Sequence, residues 1–392
     1  MNGRLLVLLA GLVAGPGQVL AGPQHLLIGL DNKTFFEAKG SRNGPNEGDA
    51  VLVVDTSDPA RPRIVASLPL PNSVYGPPSN LQITPDGRLG LVASSVTMRQ
   101  EGEAWYAQAD DRLHVIDLEA DPPRLVETIR VGRQPSGLAI HPSGRLALVG
   151  NREGKSVSVL AIEGRSVRQI AEVPLGDAVA AVTFTPDGKR ALAAKNLAAK
   201  VAVLAVDGTR VTYDSALDVP VGAGVYAVEV TPDGRTAVTA DVGVSASDGH
   251  ADTMTVIRLD QDPPRVVGYL TVGDTPETVA IAPDGRHAAV VVVKGSAAPH
   301  DAWSFTPRGA TVLVSLTGER PRIVDEVPAG GVPEGIAFSP DGSHVYVGNY
   351  VDRTLQVYRR EGDRLVDTGA PLLLPGQPAS LRGPAPGLTA AR

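Results

Sequence analysis

The chain contains no cysteine. That absence excludes disulfides, thiolate metal centres, thioether-attached haem, a bacterial lipid anchor and a cysteine nucleophile together. Long apolar runs are scarce as well. The longest, LLVLLAGLVA from Leu5 to Ala14, lies at the extreme N-terminus, and its length is about half of the roughly 20 residues a membrane-crossing helix needs. No block of lysine and arginine stands out, and a formal charge of -7 over 392 residues argues against a nucleic-acid partner. No GxSxG elbow, phosphate-binding GxxxxGK, dinucleotide glycine motif, HExxH or calcium-loop pattern is present. Helical repeats are excluded by period-two alternation and by the 43 glycines and 33 prolines.

What is present begins with a secretory signal. Arg4, the apolar run, the helix-breaking Gly15-Pro16-Gly17 and the small-residue pattern Val19-Leu20-Ala21 predict a signal peptide over residues 1–21, cut after Ala21. The mature chain, 22–392, is then periplasmic or secreted, has no membrane span, and is expected to be a monomeric single domain.

One phrase recurs through that chain. It reads TPDGRLGLVAS from Thr84, HPSGRLALVGN from His141, TPDGKRALAAK from Thr185, TPDGRTAVTAD from Thr231, APDGRHAAVVV from Ala282 and SPDGSHVYVGN from Ser339. Proline presets φ, aspartate bonds its own backbone, and glycine tolerates positive φ, so each copy is a hairpin turn feeding a strand. A third strand follows, such as KVAVLAV from Lys200 or TLQVYRR from Thr354, and then a fourth that opens with arginine, as at Arg124, Arg265 and Arg364. Four-strand units at roughly 40 to 50 residues are propeller blades.

The phrase occurs six times, whereas the third and fourth strands occur seven times. The two chain ends resolve the mismatch: GQPASLRGP from Gly376 matches the lead-in to a first strand, and QHLLIGLD from Gln24 matches a second strand. The expected fold is therefore all-β, a seven-bladed propeller of four-stranded antiparallel blades, closed by the C-terminal strand pairing into the first blade.

The glycine, the proline two or three residues on, the PDG turn and a strand ending Tyr346-Val347-Gly348-Asn349 resemble the YVTN β-propeller repeat family, the YncE-like proteins. The resemblance covers nearly the whole mature chain. It implies secreted or periplasmic proteins that mostly bind or scaffold, and it leaves the ligand open. Lactonase-type propellers share the architecture, but the Pro-Arg-His element they tend to carry before a first strand is replaced here by QPSG at Gln134, TPET at Thr275 and VPEG at Val332.

Function is sought where blades depart from the minimum. Insertions between second and third strands, at residues 31–49, 95–111, 242–253 and 294–309, fall on one face, here called the top, in blades one, two, five and six. They carry both tryptophans, Trp105 and Trp303, with Phe35, Phe36, Tyr106 and Phe305; Tyr75, Tyr226 and Tyr350 lie in other top-face connections. These aromatics serve either small cores of the loops themselves or a surface for a ligand or partner.

Counting from the turn glycine predicts two rings. Second strands end at the top in polar residues including Asp241 and Asn349; first strands enter the channel at Ser79, Ser136, Ala180, Tyr226, Glu277 and Glu334. Adjacent carboxylates at one mouth suit an acid/base pair or a cation, and they also suit a structural role. His250 and His300, with Asp252 and Asp301, could add ligands for a divalent cation, the one cofactor the residues offer; none other is predicted.

Two functions follow from these residues. The first is a binding or scaffold protein that holds a small ligand or partner protein at its top face through Tyr75, Trp105, Tyr106, Tyr226, Asp241, Trp303, Asn349 and Tyr350. The second is a metal-assisted hydrolase or lactonase using Glu277, Glu334, His250 and His300.

Overall fold

The hairpin phrase folds through bonds among its own residues. At Thr84 the hydroxyl donates to Asp86 Oδ1 at 2.5 Å and accepts the Leu89 amide at 3.0 Å, while Asp86 accepts the Arg88 amide at 3.1 Å. The same set recurs at Thr185 with Asp187 and at Thr231 with Asp233, and serine replaces threonine at Ser339 with Asp341. The next glycine closes the turn in the left-handed region, with φ 70° at Gly234.

A computed structural model describes residues 24–244, 247–318 and 320–387; the signal peptide expected over 1–21 lies outside the described residues. Seven antiparallel sheets, each of four principal strands, form the blades of a propeller; the strands run in sequence order in blades two to seven, and in blade one the C-terminal strand stands ahead of three from the N-terminal end. Blade five is typical, running Val225–Val230, Thr236–Asp241, Asp252–Arg258 and Arg265–Gly273 outward from the channel. Alternating side chains of adjacent blades interlock between the sheets. Leu148, Val157 and Val159 of blade three, for example, pack on Val179, Val182 and Ala193 of blade four, each buried. Each such side chain contributes roughly 1.5–3 kcal/mol of burial.

Closure follows the complementarity of the chain ends. Pro378–Arg382 pairs with His25–Leu30, with Ile28 opposite Leu381, and completes the sheet that continues through Ala50–Asp55 and Arg63–Leu68. Leu26 and Ile28 then share a core with Tyr346 and Val357 of blade seven. At the turn-side end of the channel, Arg382 reaches across it. Its guanidinium donates to the Leu138 carbonyl of blade three at 2.7 Å and to Glu229 of blade five at 2.5 Å.

The four insertions touch one another around the top. The Ser247 hydroxyl of blade five donates to the Lys294 carbonyl of blade six at 2.7 Å, and the His300 amide of blade six to the Ala38 carbonyl of blade one at 2.9 Å. Asn46 of blade one both accepts the Met98 amide at 2.6 Å and donates to the Met98 carbonyl at 2.7 Å in blade two. Blade two's insertion is continuous sheet, because Leu89–Glu101 and Ala104–Asp117 prolong its two middle strands into one hairpin. Blade one's insertion is a separate hairpin, Thr34–Glu37 with Gly40–Asn43.

Candidate functional site

In blades three to seven the second residue of the innermost strand reaches the channel mouth, and in blade two Ser79, two residues ahead of Leu81–Ile83, takes the same place. Blades two to four place Ser79, Ser136 and Ala180 there, and blades five to seven place Tyr226, Glu277 and Glu334. The entry into the two glutamate strands is bent. Thr275 and Val332, each just before the strand's proline, hold φ at 57° and 49°. That region costs a β-branched residue on the order of 1–3 kcal/mol. Neighbours hold the bend: the Thr275 amide donates to Asp252 at 3.0 Å and the Val332 amide to the Ser296 hydroxyl at 2.8 Å.

Above this rung lies a cavity of about 570 Å³. Its polar side chains are led by Glu277, Glu334, Tyr226 and Arg152; Leu197, Val242, Val293, Ala297 and Val332 form apolar wall, and blade one brings Thr34, Phe36, Val74 and Tyr75 to the rim. The size suits a small organic molecule, and few polar groups in an apolar enclosure are the usual composition of such sites.

Blade one's hairpin is held over the cavity by buried anchors. Tyr350 and Gln377 both donate to the Thr34 carbonyl, at 2.8 and 2.6 Å, and the Phe36 ring meets Tyr350 edge-on at 5.5 Å. Fully buried Lys33 pairs with Asp49 at 2.6 Å and Asp31 at 3.3 Å, and also donates to the Asn72 carbonyl. Asp31 in turn accepts the backbone amides of Lys33, Thr34 and Val74.

The electrostatics at the mouth are unbalanced. Glu334 is 3% exposed and lines the cavity, yet among the described residues neither it nor Glu277 has a hydrogen-bond or ion-pair partner. Burial pushes the Glu277 carboxyl up to about 7 against the opposing field of Arg152. Burial, then repulsion from Glu277 and Asp31, holds Glu334 well above the usual carboxylate range. Arg152 lies over the Tyr226 ring at 5.5 Å, and burial raises the Tyr226 phenol above its ordinary value. Two carboxyl groups with raised proton affinity beside a cation and a phenol can bind a cation, share a proton, or act as acid and base.

Other residues singled out by sequence occupy different places. Asp241 is buried within blade five, where it accepts the hydroxyls of Thr253 at 3.0 Å and Thr255 at 2.7 Å; burial moves its carboxyl up to about 6. Asn349 makes the same kind of link in blade seven, donating to Thr354 and Gln356 at 3.1 Å and accepting the Gly330 amide at 2.9 Å. Tyr350 is the buried anchor just described. Tyr75 lines the cavity and also a shallower depression of about 370 Å³ shared with Tyr106, Arg133 and Glu153.

Trp105 stands near the tip of blade two's hairpin opposite Gln100, and Trp303 is 81% exposed, its ring edge-on to His250 at 6.5 Å; neither lines the cavity. His250 bonds Asp248 at 3.2 Å, and His300 stacks on Phe305 at 4.3 Å. Asp252 accepts the Thr275 amide, and Asp301 is exposed. Among the described residues, no three His, Asp or Glu side chains gather as a metal site, so these four do not join the glutamate pair.

Sequence reasoning missed Arg152 and Asn196. Both stand one position beyond the polar ring ending the second strands, as do Val242 and Val293, and all four line the cavity. Extending the count from the turn glycine by one residue would have found them.

No family model matches the chain. Among curated proteins it is similar to Antigen Lp49 of Leptospira interrogans, 28% identical over 100 residues, which cover 25% of this chain and span about a fifth (21%) of that protein. Among solved structures it resembles a candidate 6-phosphogluconolactonase from Bacteroides uniformis, with a TM-score of 0.69 at 17% identity over 92% of this chain and 99% of the other. It also resembles the periplasmic gluconolactonase PpgL of Pseudomonas aeruginosa, with a TM-score of 0.64 at 20% identity over 92% and 99% of the two chains. At such identities the likeness carries the fold alone.

Proposed function

We propose that the chain is a ligand-binding propeller of the YVTN repeat type, working as a monomer in the periplasm or outside the cell, and that a small organic molecule occupies the top-face cavity. One arrangement carries this conclusion: Glu334, 3% exposed and without a hydrogen-bond or ion-pair partner among the described residues, lines a cavity of about 570 Å³ whose walls are mainly apolar. A few convergent polar groups with raised proton affinity in a largely apolar pocket are the usual composition of a small-molecule site. The test is a thermal-shift screen of small molecules on the wild type and on Glu334→Gln and Arg152→Ala. Hits should lose their shift in both variants; hits that persist unchanged in both would place binding elsewhere.

A second reading, lactone hydrolysis, is supported by the names of the two structural neighbours and by the glutamate pair. In this reading ionised Glu277 takes a proton from water as it attacks the lactone carbonyl. Arg152 and the Tyr226 hydroxyl receive the oxyanion, and protonated Glu334 gives its proton to the departing ring oxygen. Water and lactone become one hydroxy acid. Acid release from gluconolactone, followed at constant pH, should fall about 100-fold or more in Glu277→Gln if this holds. A rate equal to the spontaneous one with wild-type protein removes gluconolactone as a substrate.

A further inference from the structure

We propose that the ligand is a small organic monocation, an amine or ammonium group on a compact apolar or aromatic body, seated with its charge against Glu334 and Glu277. This rests on the small-ligand reading above and adds the class of ligand. The charge inventory is the first argument. Among the described residues Arg152, Glu277 and Glu334 are the only charged side chains lining the cavity, so with both carboxylates ionised the site is one positive charge short. The existing cation is already engaged, lying over Tyr226 and acting on Glu277. Glu334 faces Glu277 and Asp31 instead, and the nearby ammonium of Lys33 is held by Asp31, Asp49 and the Asn72 carbonyl.

The walls narrow the choice further. Phe36, Tyr75 and Tyr226 present aromatic surface to the cavity, which attracts an organic cation through the ring quadrupole and offers nothing comparable to an anion. A bare calcium or magnesium ion would want six or more oxygens, and among the described residues no three His, Asp or Glu side chains gather as a metal site. The apolar share of the wall, Leu197, Val242, Val293 and Ala297 among it, suits the apolar body of such a ligand.

Without such a ligand a proton takes the cation's place. Burial pushes the Glu277 carboxyl up to about 7 against the field of Arg152, burial and then repulsion from Glu277 and Asp31 hold Glu334 well above the usual carboxylate range, and burial keeps Tyr226 a phenol. An arriving cation therefore displaces a proton. Its affinity should rise with pH through neutrality, by about tenfold per unit for each proton fully displaced.

The test uses benzylamine, benzyl alcohol and benzoate, which share a ring and differ in charge. Each is titrated calorimetrically into the full chain, in two buffers of different ionisation enthalpy so that proton release is read directly. Benzylamine should bind about tenfold or more tightly than the alcohol, with benzoate weakest and a proton released near pH 7. Glu334→Gln and Glu277→Gln, each checked by its melting curve, should each lose that preference and reduce the proton release. Equal or tighter binding of benzoate or the alcohol, or a preference surviving in both variants, overturns the cationic class while leaving a small-molecule site. No binding of any of the three overturns both.

Discussion

Both ends of the channel hold glutamate, half-buried Glu229 at one and buried Glu334 at the other, and the fold treats them oppositely. At the turn-side end Glu229 is met by Arg382 at 2.5 Å and approached by the Thr183 hydroxyl at 3.4 Å; at the mouth, Glu334 has no partner among the described residues. The first pair joins the closing strand to a blade on the far side of the ring, so its charge belongs to the architecture. The second leaves part of its balance to be supplied by a proton or a ligand. A repeat that could have placed serine or alanine at this rung, as in blades two to four, instead places carboxylates in blades six and seven.

The largest effect expected is from removing the closing strand. Ending the chain before Gly376 deletes buried Ala379, Ser380 and Leu381 together with Arg382, and it exposes the edge of His25–Leu30. Chemical denaturation should show a loss above ~5 kcal/mol, more than the lost core side chains and the broken ion pair each account for. Wild-type stability in the truncated chain would mean the ring does not need its tail. Next comes Arg382→Met, which takes the ion-pair partner from half-buried Glu229 and should cost about 1–3 kcal/mol in the same measurement.

At the mouth the sign reverses. Glu334→Gln should stabilise the protein by roughly 1–3 kcal/mol at alkaline pH, since a neutral amide replaces a carboxyl whose ionisation burial opposes. A raised folded-state affinity means the folded chain keeps its proton after the unfolded chain has lost it. Stability is therefore lost as pH rises from the ordinary carboxylate range through the raised one, and the variant's advantage should vanish in acid. Melting curves across pH decide it; a destabilised variant at high pH would show that Glu334 has a hidden partner.

Asp241→Asn is a smaller version of the same experiment. The structure already uses asparagine at this station in blades three and seven, as Asn151 and Asn349, bonded to third-strand side chains. With the Asp241 carboxyl moved up to about 6, stability falls as pH rises from about 4 to about 6. The substitution should recover about 1–2 kcal/mol above that window and little below it. Equal melting temperatures for variant and wild type at pH 8 would mean that the Thr253 and Thr255 hydroxyls already offset the burial.

Much of this was legible in the sequence because the governing relations are local or periodic. In four of the six turns the hydroxyl and aspartate bond within six residues, and the rung with Glu277 and Glu334 follows from a constant offset to the turn glycine. The closing strand was legible because each chain end lacks what the other has. Arg152 was legible by position, one residue beyond the polar ring, but its placement over the Tyr226 ring two blades away was not, because no offset within one blade reports it. Asp241, Asn349 and Tyr350 were legible as polar groups at the top, but their side chains turn into the blades, toward Thr255, Gln356 and the Thr34 carbonyl. Blade two's insertion hid its nature because a polar extended hairpin and a long loop share a composition.

The smallest effect expected concerns the tryptophans, and it separates the aromatics inside the mouth from those beside it. Phe36 and Tyr226 line the cavity, whereas Trp303 stands 81% exposed between the insertions of blades five and six, and Trp105 lies near the tip of blade two's hairpin. An exposed side chain with few partners should cost no more than about 0.5 kcal/mol when truncated. Trp303→Ala should therefore leave the melting temperature nearly unchanged, and both it and Trp105→Ala, a part-buried residue away from the cavity, should leave the benzylamine affinity within about twofold of wild type, because sites without shared contacts act independently. Phe36→Ala should weaken benzylamine by roughly fivefold or more through the lost ring face. Should the tryptophan variants lose the amine and Phe36→Ala keep it, the site lies on the outer surface of the insertions, and the carboxylates at the mouth serve the ring alone.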